Sequence, residues 1–392
     1  MSAVSAWVCG LAIVATINLA NADDEFAISA IEDVSIACSV RLQDEDGINV
    51  AGASIGMSAY TEATSSLLEN AKWQYFEGGV TDAKGIVVLP DISTHQRLCL
   101  VARDPVRKLV GVWELFPKED GSRLNLTMHH EVRVTGRLIC DELTTRHRPI
   151  GWACVSIARA GKGSFFIRCD DAPFELFLPP GDYSVNAIGS NLLPLETKFS
   201  VASESGVCDL GDIHLRATRL ALMEGLPAPE LEGIVAWKNG PIKLQELVGK
   251  VVILDFWGYW CPPCVAGMPK LFDLYDRFHA DGLEIIGIHV DDHTKDDELV
   301  NSADRLDSQL KGIRSQLWKD RDIPYPVAMS LRNPTPYDVE HHSGTARSEA
   351  AAQFGINVYP TMILIDRKGA VVGRFHPNIP EHLNRLEILL KH

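Results

Sequence analysis

The stretch VVILDFWGYWCPPC, residues Val251–Cys264, decides the fold of the C-terminal part of the chain. Its first part, Val251–Trp257, is an apolar run interrupted by a single aspartate, which is typical of a strand buried on both faces of a parallel sheet. Cys261 and Cys264 follow, separated by two prolines. Proline suits the first turn of a helix, because its missing N–H group would have no intrahelical acceptor there. The stretch therefore predicts a buried strand and then a helix that begins at the C-x-x-C pair.

Downstream of this pair the hydrophobic pattern follows the order of an α/β domain. Gly225–Pro229 resembles a linker that leads into this domain. The later predicted elements are a helix over Val265–His279, a buried strand over Leu283–Val290, a polar helix-prone segment over Asp296–Trp318, hairpin strands over Met362–Asp366 and Val371–Phe375, and a final helix over Glu381–Lys391. A βαβ unit followed by a hairpin and a closing helix predicts a mixed sheet.

The C-x-x-C pair predicts redox chemistry. Its spacing places both sulfur atoms on the first helical turn, near enough to close a disulfide. The helix N-terminus favours the thiolate form of Cys261, while Cys264 is predicted to point into the fold and act as the resolving thiol. Two other interpretations are a structural disulfide and half of a zinc site. Zinc would need further cysteine or histidine ligands at matching spacing, and the chain has no second C-x-x-C.

The stretch FWGYWCPPC, its strand and the later Tyr359-Pro360-Thr361 resemble a thioredoxin-fold oxidoreductase. The pattern is similar to the exported TlpA/ResA group of the redoxin, AhpC/TSA-like superfamily, including the lead-in Gly225–Pro229. This resemblance covers residues 222–392 and implies a thiol–disulfide oxidoreductase.

The resemblance also implies roles for individual residues. It makes Cys261 the attacking cysteine, Cys264 the resolving cysteine, and Asp255 the buried acid that helps deprotonate Cys264. The residues implied in substrate binding, with Pro360 following a cis peptide bond, are Trp260, Tyr359, Pro360 and Thr361. It implies neither a metal nor a cofactor.

Two features depart from the family pattern. Many members carry a glutamate three residues after the second cysteine, where this chain has Gly267, so acid–base work is expected to fall more heavily on Asp255. The stretch Arg332–Arg347 is predicted to be an inserted loop near the substrate face. Its polar residues are either specificity elements or parts of a solvated loop, namely Asp338, Glu340, His341 and His342.

Residues from about 30 to 217 alternate short apolar strands with turn signals and show no long helical period. Cys38–Met57 and Gly136–Ile157 share one pattern of strand, acidic turn and second strand, which predicts two tandem β-sandwich modules. Both resemble the carboxypeptidase regulatory-like, transthyretin-like sandwich, and Leu178–Tyr183 is close to the turn of that family. The predicted architecture is multidomain, with all-β sandwich modules over residues 23–130 and 131–217 ahead of an α/β thioredoxin-like domain over residues 218–392.

The first 22 residues contain no Asp, Glu, Lys or Arg, and the apolar run Ala6–Ala20 is short for a membrane span. A small-x-small site, Ala20–Ala22, follows it. Residues 1–22 therefore predict a cleaved signal peptide, with an uncleaved anchor as the alternative, and a location in the periplasm or cell envelope.

Six further cysteines lie between this segment and the C-x-x-C pair: Cys38, Cys99, Cys140, Cys154, Cys169 and Cys208. They either form disulfides, with Cys38–Cys99 as the first pairing to test, or are buried free thiols.

The amino-acid composition excludes one class of binding partner. The 392-residue chain carries a net charge of −15, which repels phosphate backbones and argues against nucleic acid. The predicted function is exchange with protein disulfides or dithiols outside the cytoplasm, in the reductase direction. A membrane-bound electron donor is the expected second partner, and the sandwich modules are expected to dock to envelope or extracellular material.

Two alternative functions are weighed against this prediction. One is a peroxiredoxin-like peroxidase, although Pro262-Pro263-Cys264 does not supply the Pro-x-x-x-Thr-x-x-Cys loop of that chemistry. The other is an envelope-docking binding protein with a subsidiary redoxin domain. An intact pair of cysteines together with Asp255 and Pro360 argues against a decayed site.

Overall fold

The structure is a computed structural model of the chain. It describes residues 35–36, 38–58, 79–89, 92–93, 98–115, 123–159, 164–169, 172–203, 206–292, 299–339 and 342–391. The predicted signal peptide, residues 1–22, lies outside these ranges, as do Glu340 and His341. The side chains of Cys99, Asp338 and His342 are also outside the description, so the predicted Cys38–Cys99 pairing stays a prediction.

The first part of the chain is built from short strands. They are β1 Ser35–Ile36, β2 Ser39–Gln43, β3 Ser54–Ser58, β4 Ile86–Val88, β5 Ile92–Ser93, β6 Leu98–Asp104, β7 Leu109–Leu115, β8 Arg123–Thr127 and β9 His129–His130. One sheet has the order β4-β2-β8 and another the order β3-β6-β7-β9, while β1 pairs with β5. One buried cluster draws on both larger sheets, with Val40 from the first and Ile55 and Leu100 from the second.

The next part repeats this arrangement. Its elements are β10 Val132–Ile139, α1 Asp141–Thr144, β11 Ala153–Arg159, β12 Ser164–Arg168, β13 Phe174–Leu178, β14 Gly181–Gly189, β15 Leu192–Val201 and β16 Val207–His214. The three-stranded sheet β13-β10-β16 matches β4-β2-β8, because the central strand pairs antiparallel with the first neighbour and parallel with the second in both sheets. A four-stranded sheet, β12-β11-β14-β15, completes the unit. The region is thus rich in β-strands. The three-stranded sheets of its two units share their strand directions, whereas the four-stranded sheets differ in their edge strands.

The C-terminal part contains a six-stranded sheet in the order β17-β20-β19-β18-β23-β24. Its elements, after α2 Arg219–Met223, are β17 Ile234–Lys238, a 3-10 helix Leu244–Leu247, β18 Val251–Trp257, α3 Pro262–Phe278, a 3-10 helix His279–Asp281, β19 Leu283–Val290, α4 Ala303–Leu317, β20 Val327–Ser330, β21 Thr335–Val339, β22 His342–Ala346, α5 Glu349–Phe354, β23 Thr361–Ile365, β24 Val371–Phe375 and α6 Pro380–Lys391. Strands β18 and β19 are parallel, and β23 and β24 are antiparallel. The predicted βαβ unit, hairpin and closing helix are all present, so the thioredoxin-like α/β expectation is confirmed here.

Strand β18 is buried on both faces, which explains why its sequence is almost entirely apolar. All of its residues are buried. Val251, Ile253 and Trp257 belong to the core cluster on the side of α3. Val252, Leu254 and Phe256 belong to a second cluster on the opposite face. Because side chains alternate along a strand, Asp255 faces the same cluster as Ile253 and Trp257.

The segment predicted to be a linker is part of the sheet instead. The N–H of Gly225 donates to the carbonyl oxygen of Val371 at 2.7 Å, and the N–H of Val371 donates to Leu226 at 2.9 Å. The N–H of Ala228 donates to Gly369 at 2.9 Å. These bonds pair the segment with Val371, the first residue of β24, and with the turn before it.

The predicted inserted loop Arg332–Arg347 is also different in the structure. It contains the antiparallel hairpin β21–β22, with Thr335 paired to Ala346. The N–H of Asn333 donates to the carbonyl oxygen of Arg347 at 2.8 Å and closes the base of the hairpin. Pairing gives the backbone groups of the insertion partners that an open loop would leave to solvent.

The second β-rich unit contacts the six-stranded sheet beside β24. In helix α2, Leu220 packs into the cluster on one face of the sheet, and Ala221 packs into the core of the β-rich unit. The Arg374 Nε–H donates to the carbonyl oxygen of Ser190 at 3.2 Å, and Arg148 forms an ion pair with Glu224. Across the described ranges, no helix combines the length and apolar character needed to cross a membrane.

Candidate active site

The C-x-x-C pair sits at the start of helix α3. Cys261 is the N-cap residue with extended backbone angles, and Pro262 and Pro263 occupy the first helical positions, as predicted. The two cysteines form a disulfide with their Cα atoms 5.3 Å apart. The N–H groups of Cys264 and Val265 both donate to the carbonyl oxygen of Cys261, at 3.0 and 3.2 Å. The first turn of the helix is thereby closed around the disulfide.

Both cysteines are buried in this oxidised state. Cys261 is 5% exposed and Cys264 is 4% exposed, and both join the core cluster between α3 and the sheet. The sequence predicted an inward position for Cys264, which the structure has. Cys261 is almost as buried as Cys264. A partner therefore has to contact the loops around the pair in order to reach the sulfur of Cys261.

The side chain of Trp260 lies over the backbone next to the disulfide. Its indole N–H donates to the carbonyl oxygen of Val290 at 2.9 Å, which joins the C-x-x-C loop to the end of β19. The indole can take this position because residue 258 is a glycine: a Cβ atom there would lie 2.4 Å from Trp260 Nε1. The indole and Tyr359 rings meet edge to face, with centroids 5.5 Å apart.

The Tyr359–Pro360 peptide bond is cis, as the family resemblance implied. Thr361 follows it, is 4% exposed, and donates its hydroxyl hydrogen to the carbonyl oxygen of Val358 at 2.7 Å. Thr361 also pairs in register with Phe256 near the end of β18. The predicted substrate-binding residues therefore converge at the same edge of the sheet as the disulfide.

Asp255 is buried beneath this edge, with 1% of its surface exposed. Burial raises the pKa of this carboxyl to about 7, because the charged form loses its hydration. Its Oδ1 atom has no hydrogen-bond partner among the described residues, which fits a carboxyl that is poorly solvated. Asp255 therefore changes charge in the range where thiols exchange protons near neutral pH.

The space beside Asp255 is occupied by Tyr325. Gly287 is the register partner of Asp255 on β19, and a Cβ atom on Gly287 would lie 3.5 Å from Tyr325 Cε2 and 2.9 Å from Trp257 Nε1. Burial raises the pKa of Tyr325 well above its ordinary value, and the negative charge of Asp255 raises it further. The tyrosine hydroxyl is thus neutral at any pH where Asp255 titrates.

The structure adds an arginine that the sequence reasoning did not single out. The guanidinium carbon of Arg347 lies 4.3 Å from the ring centroid of Trp260 and 6.0 Å from that of Tyr359. Its Nη1 forms an ion pair with Asp292, which also accepts from Arg332 at 3.0 Å. Both arginines lie at the ends of the inserted segment. This position is the sequence feature that could have pointed to them as site residues.

A second arginine borders the cis-proline loop. Arg374 Nη1 donates to Thr361 Oγ1 at 3.4 Å, while its Nε donates to Ser190 of the second β-rich unit. Arg374 thus links the β-rich unit to the residue that follows Pro360. Within the described ranges, no three His, Cys, Asp or Glu side chains are grouped so that they could hold a metal ion.

Comparison with known proteins identifies relatives of this C-terminal part. Residues 225–374 match the AhpC/TSA family. The chain is 30% identical over 131 residues to the thiol-disulfide oxidoreductase ResA of Bacillus thuringiensis subsp. konkukian, covering 33% of this chain and 57% of that protein. It is 40% identical over 151 residues to the protein DipZ of Mycobacterium bovis, covering 35% of this chain and 20% of that protein. The chain thus spans little more than half of the first relative's length and a fifth of the second's.

Solved structures give similar partial matches. A thioredoxin-like superfamily protein is 23% identical and matches 42% of this chain and 97% of its own, with a TM-score of 0.33. A putative thiol:disulfide interchange protein DsbE from Chlorobium tepidum is 23% identical and matches 43% of this chain and 98% of its own, with a TM-score of 0.30.

Proposed function

We propose that the protein is a thiol–disulfide oxidoreductase that exchanges the Cys261–Cys264 pair with protein partners and works as a reductase. The observation that carries the proposal is the disulfide at the start of helix α3, beside the cis Tyr359–Pro360 bond. Both lie within the residues that match the AhpC/TSA family, and the Bacillus thuringiensis relative is named a thiol-disulfide oxidoreductase.

The first step is attack on the partner. In the reduced protein, the Cys261 thiolate attacks one sulfur of a partner disulfide, which breaks the partner's S–S bond and releases its other sulfur as a thiolate. A mixed disulfide joins Cys261 to the partner. The helix N-terminus at Cys261 favours the thiolate before attack, because unpaired backbone N–H groups and the helix dipole stabilise an anion there.

The second step releases the partner. Asp255 takes the proton of Cys264, and the Cys264 thiolate attacks the Cys261 sulfur and breaks the mixed disulfide. The partner leaves as a dithiol after both of its thiolates are protonated, and the Cys261–Cys264 disulfide carries the two oxidising equivalents. A pKa of about 7 lets Asp255 accept a proton at neutral pH and return it in the next cycle.

The aromatic rim and the cis-proline loop hold the partner segment during these steps. The rings of Trp260 and Tyr359 contact each other edge to face beside the disulfide, so a partner chain lies against this continuous rim. Tyr359 supplies backbone hydrogen bonds to that chain, as the resemblance implies. Because both cysteines are nearly buried, an extended segment reaches them more readily than a folded surface.

The cellular setting is part of the proposal. Residues 1–22 direct export to the periplasm or cell envelope, and a membrane-bound electron donor re-reduces the Cys261–Cys264 disulfide. The two β-rich units are sandwich modules of the carboxypeptidase regulatory-like type that dock the protein to envelope material. The matching strand directions in their three-stranded sheets support this assignment.

The decisive experiment is a redox titration of the mature protein in glutathione or dithiothreitol buffers, followed by tryptophan fluorescence. Trp260 lies next to the disulfide and provides the signal, and Cys264→Ser is the control without a couple. A reductase should titrate at or below about −250 mV, since thioredoxin lies near −270 mV. A potential near −120 mV would indicate a dithiol oxidase instead. The absence of any titratable couple, or peroxide turnover that needs neither cysteine, would refute the proposed exchange.

A further inference from the structure

A positively charged group lies on the aromatic rim of the candidate site. The Arg347 guanidinium stacks 4.3 Å from the Trp260 ring centroid, and Trp260 is the residue immediately before Cys261. The side chain of Arg347 is 39% exposed, so the guanidinium is held in place and still open to solvent. A guanidinium stacked on an aromatic face keeps its N–H groups in the plane of the stack, where they are available to an acceptor.

Asp292 fixes this arginine without neutralising the rim. It accepts from Arg347 and, at 3.0 Å, from Arg332, so one half-exposed carboxylate serves two guanidinium groups. The adjacent Asp291 is fully buried, and its carboxylate oxygens accept the backbone N–H groups of Asp292 and Val300 at 2.8 Å. Among the described side chains of this group, two guanidinium groups thus share the one exposed carboxylate of Asp292.

This arrangement is unusual for a chain with a net charge of −15. Within the described part of the chain, the ion pair with Asp292 is the single hydrogen bond of the Arg347 side chain, which leaves further N–H donors for a ligand. Guanidinium groups match carboxylates in shape and bind them through paired N–H donors. The rim thus combines a flat apolar surface with one cationic site for an acceptor next to the reactive disulfide.

We propose that Arg347 is a specificity-determining residue that binds a carboxylate of the partner chain close to the cysteine being exchanged. The occupant is an extended protein segment with an aspartate or glutamate near its reactive cysteine. This inference rests on the proposed exchange function and adds the substrate class to it. The inserted hairpin β21–β22 then has a role, because its last strand delivers Arg347 to the rim.

The test uses the full-length reduced protein and two model peptides, each with one internal disulfide. The peptides differ only in two residues next to the attacked cysteine, which are Glu in one and Gln in the other. The second-order rate of peptide reduction is measured for each peptide at low ionic strength and again in about 0.5 M salt, where exposed charges are strongly screened. Wild-type protein should prefer the Glu peptide by about two- to fivefold, and salt should reduce that preference.

Arg347→Gln and a matched control variant separate recognition from charge and from folding. Arg321 has the same side-chain exposure, 39%, stacks on Phe272 at 5.3 Å and pairs with Asp276 at 2.7 Å. Asp276 lies near the far end of α3 from the disulfide. Arg321→Gln therefore removes one positive charge of the same kind from a remote surface.

We expect the ratio of the rate with the Glu peptide to the rate with the Gln peptide to fall to about one in Arg347→Gln. The ratio should keep its wild-type value in Arg321→Gln. The reaction with a small neutral disulfide should be unchanged in Arg321→Gln. For Arg347→Gln, the rate with each peptide is divided by the variant's own rate with that disulfide, so that any general change in thiol reactivity cancels. Equal loss of rate with both peptides in Arg347→Gln, or no preference in the wild type, would overturn it. If the wild type reduced neither peptide but the couple titrated normally, the substrate class would be wrong, whereas the absence of a couple would refute the exchange function itself.

Discussion

The indole N–H of Trp318 donates a hydrogen bond to the backbone carbonyl oxygen of Val265 at 2.7 Å. Val265 lies four residues before Pro269, which is inside helix α3 and has no N–H group to offer that carbonyl. Trp318 is 2% exposed and follows helix α4, so the replacement donor comes from a neighbouring element of the fold. The bond fixes the helical turn that carries Cys264.

Replacing this tryptophan should destabilise the protein. Trp318→Phe leaves the buried carbonyl of Val265 without a donor, which costs about 1–3 kcal/mol in the free energy of unfolding, in addition to any loss of packing. In a Pro269→Ala background the alanine introduced there supplies an N–H that can bond to Val265, so the cost of Trp318→Phe should be smaller. Urea denaturation of wild type, both single variants and the double variant measures the difference. An identical cost in both backgrounds would show that Trp318 contributes packing alone.

The buried carboxyl of Asp255 should make stability depend on pH. Its pKa is about 7 in the folded chain, against about 3.9 in the unfolded chain, so the unfolded state loses its proton first. Folding therefore becomes less favourable as pH rises through this interval. Asp255→Asn removes that penalty, and its stability advantage over the wild type should grow by about 2–3 kcal/mol between pH 5 and pH 8.

Urea denaturation at several pH values measures this advantage. Asp273→Asn is the control, because the side chain of Asp273 is 76% exposed and its ion pair with Arg321 should contribute about 0–1 kcal/mol. A stability difference between Asp255→Asn and wild type that did not vary with pH would contradict the buried, titrating carboxyl.

The same carboxyl should shape the pH dependence of exchange. Release of the partner needs Asp255 in its charged form as a base, so the rate of that step should rise as pH passes through about 7. In Asp255→Asn the proton of Cys264 must go to solvent, so the rise should move to the higher pH at which the thiol itself ionises, and the rate at pH 7 should fall about 100-fold. Single-turnover quenching of the mixed disulfide measures the step directly. An unchanged profile in the variant would assign the proton transfer to another group.

Gly287 should tolerate no side chain. A Cβ atom there would lie 2.9 Å from Trp257 Nε1, and Trp257 is fully buried and cannot move aside. Gly287→Ala should therefore cost about 1–3 kcal/mol through overpacking. Gly312 is the matched control, since it lies in helix α4 with no atom within 4 Å of the position a Cβ would take, and Gly312→Ala should stabilise by about 0.5–1 kcal/mol. Thermal unfolding of both variants should show shifts of opposite sign.

Local sequence was sufficient for the central elements of the redoxin-like part. Strand β18 has the predicted bounds, Val251–Trp257, because a strand buried on both faces leaves few positions for polar residues. Strand β19 likewise matches Leu283–Val290. The cis bond before Pro360 came from the resemblance alone, since nothing in the local residues distinguishes it from a trans bond.

Contacts between distant segments could not be predicted in this way. The stacking of Arg347 on Trp260 joins two loops that are far apart in the chain, and neither loop carries a local sign of the other. Asp292, which holds Arg347, follows strand β19 and looks like an ordinary solvated residue in the sequence. The sequence-based prediction singled out the polar residues inside the insertion as candidate specificity elements. In the structure, the arginines at its two ends, Arg332 and Arg347, form the ion pairs with Asp292.

The hydrogen bonds between Gly225–Ala228 and β24 have a consequence for how the protein can be divided. A strand edge without such a cover is a template for pairing with another molecule. A fragment that began after Ala228 would leave the backbone groups of Val371 and Gly369 without these partners, and another molecule could pair there at the start of the β24 edge. The natural cleavage point between the β-rich units and the redoxin-like part therefore lies before Gly225, even though the sequence there looks like a spacer that could be cut anywhere.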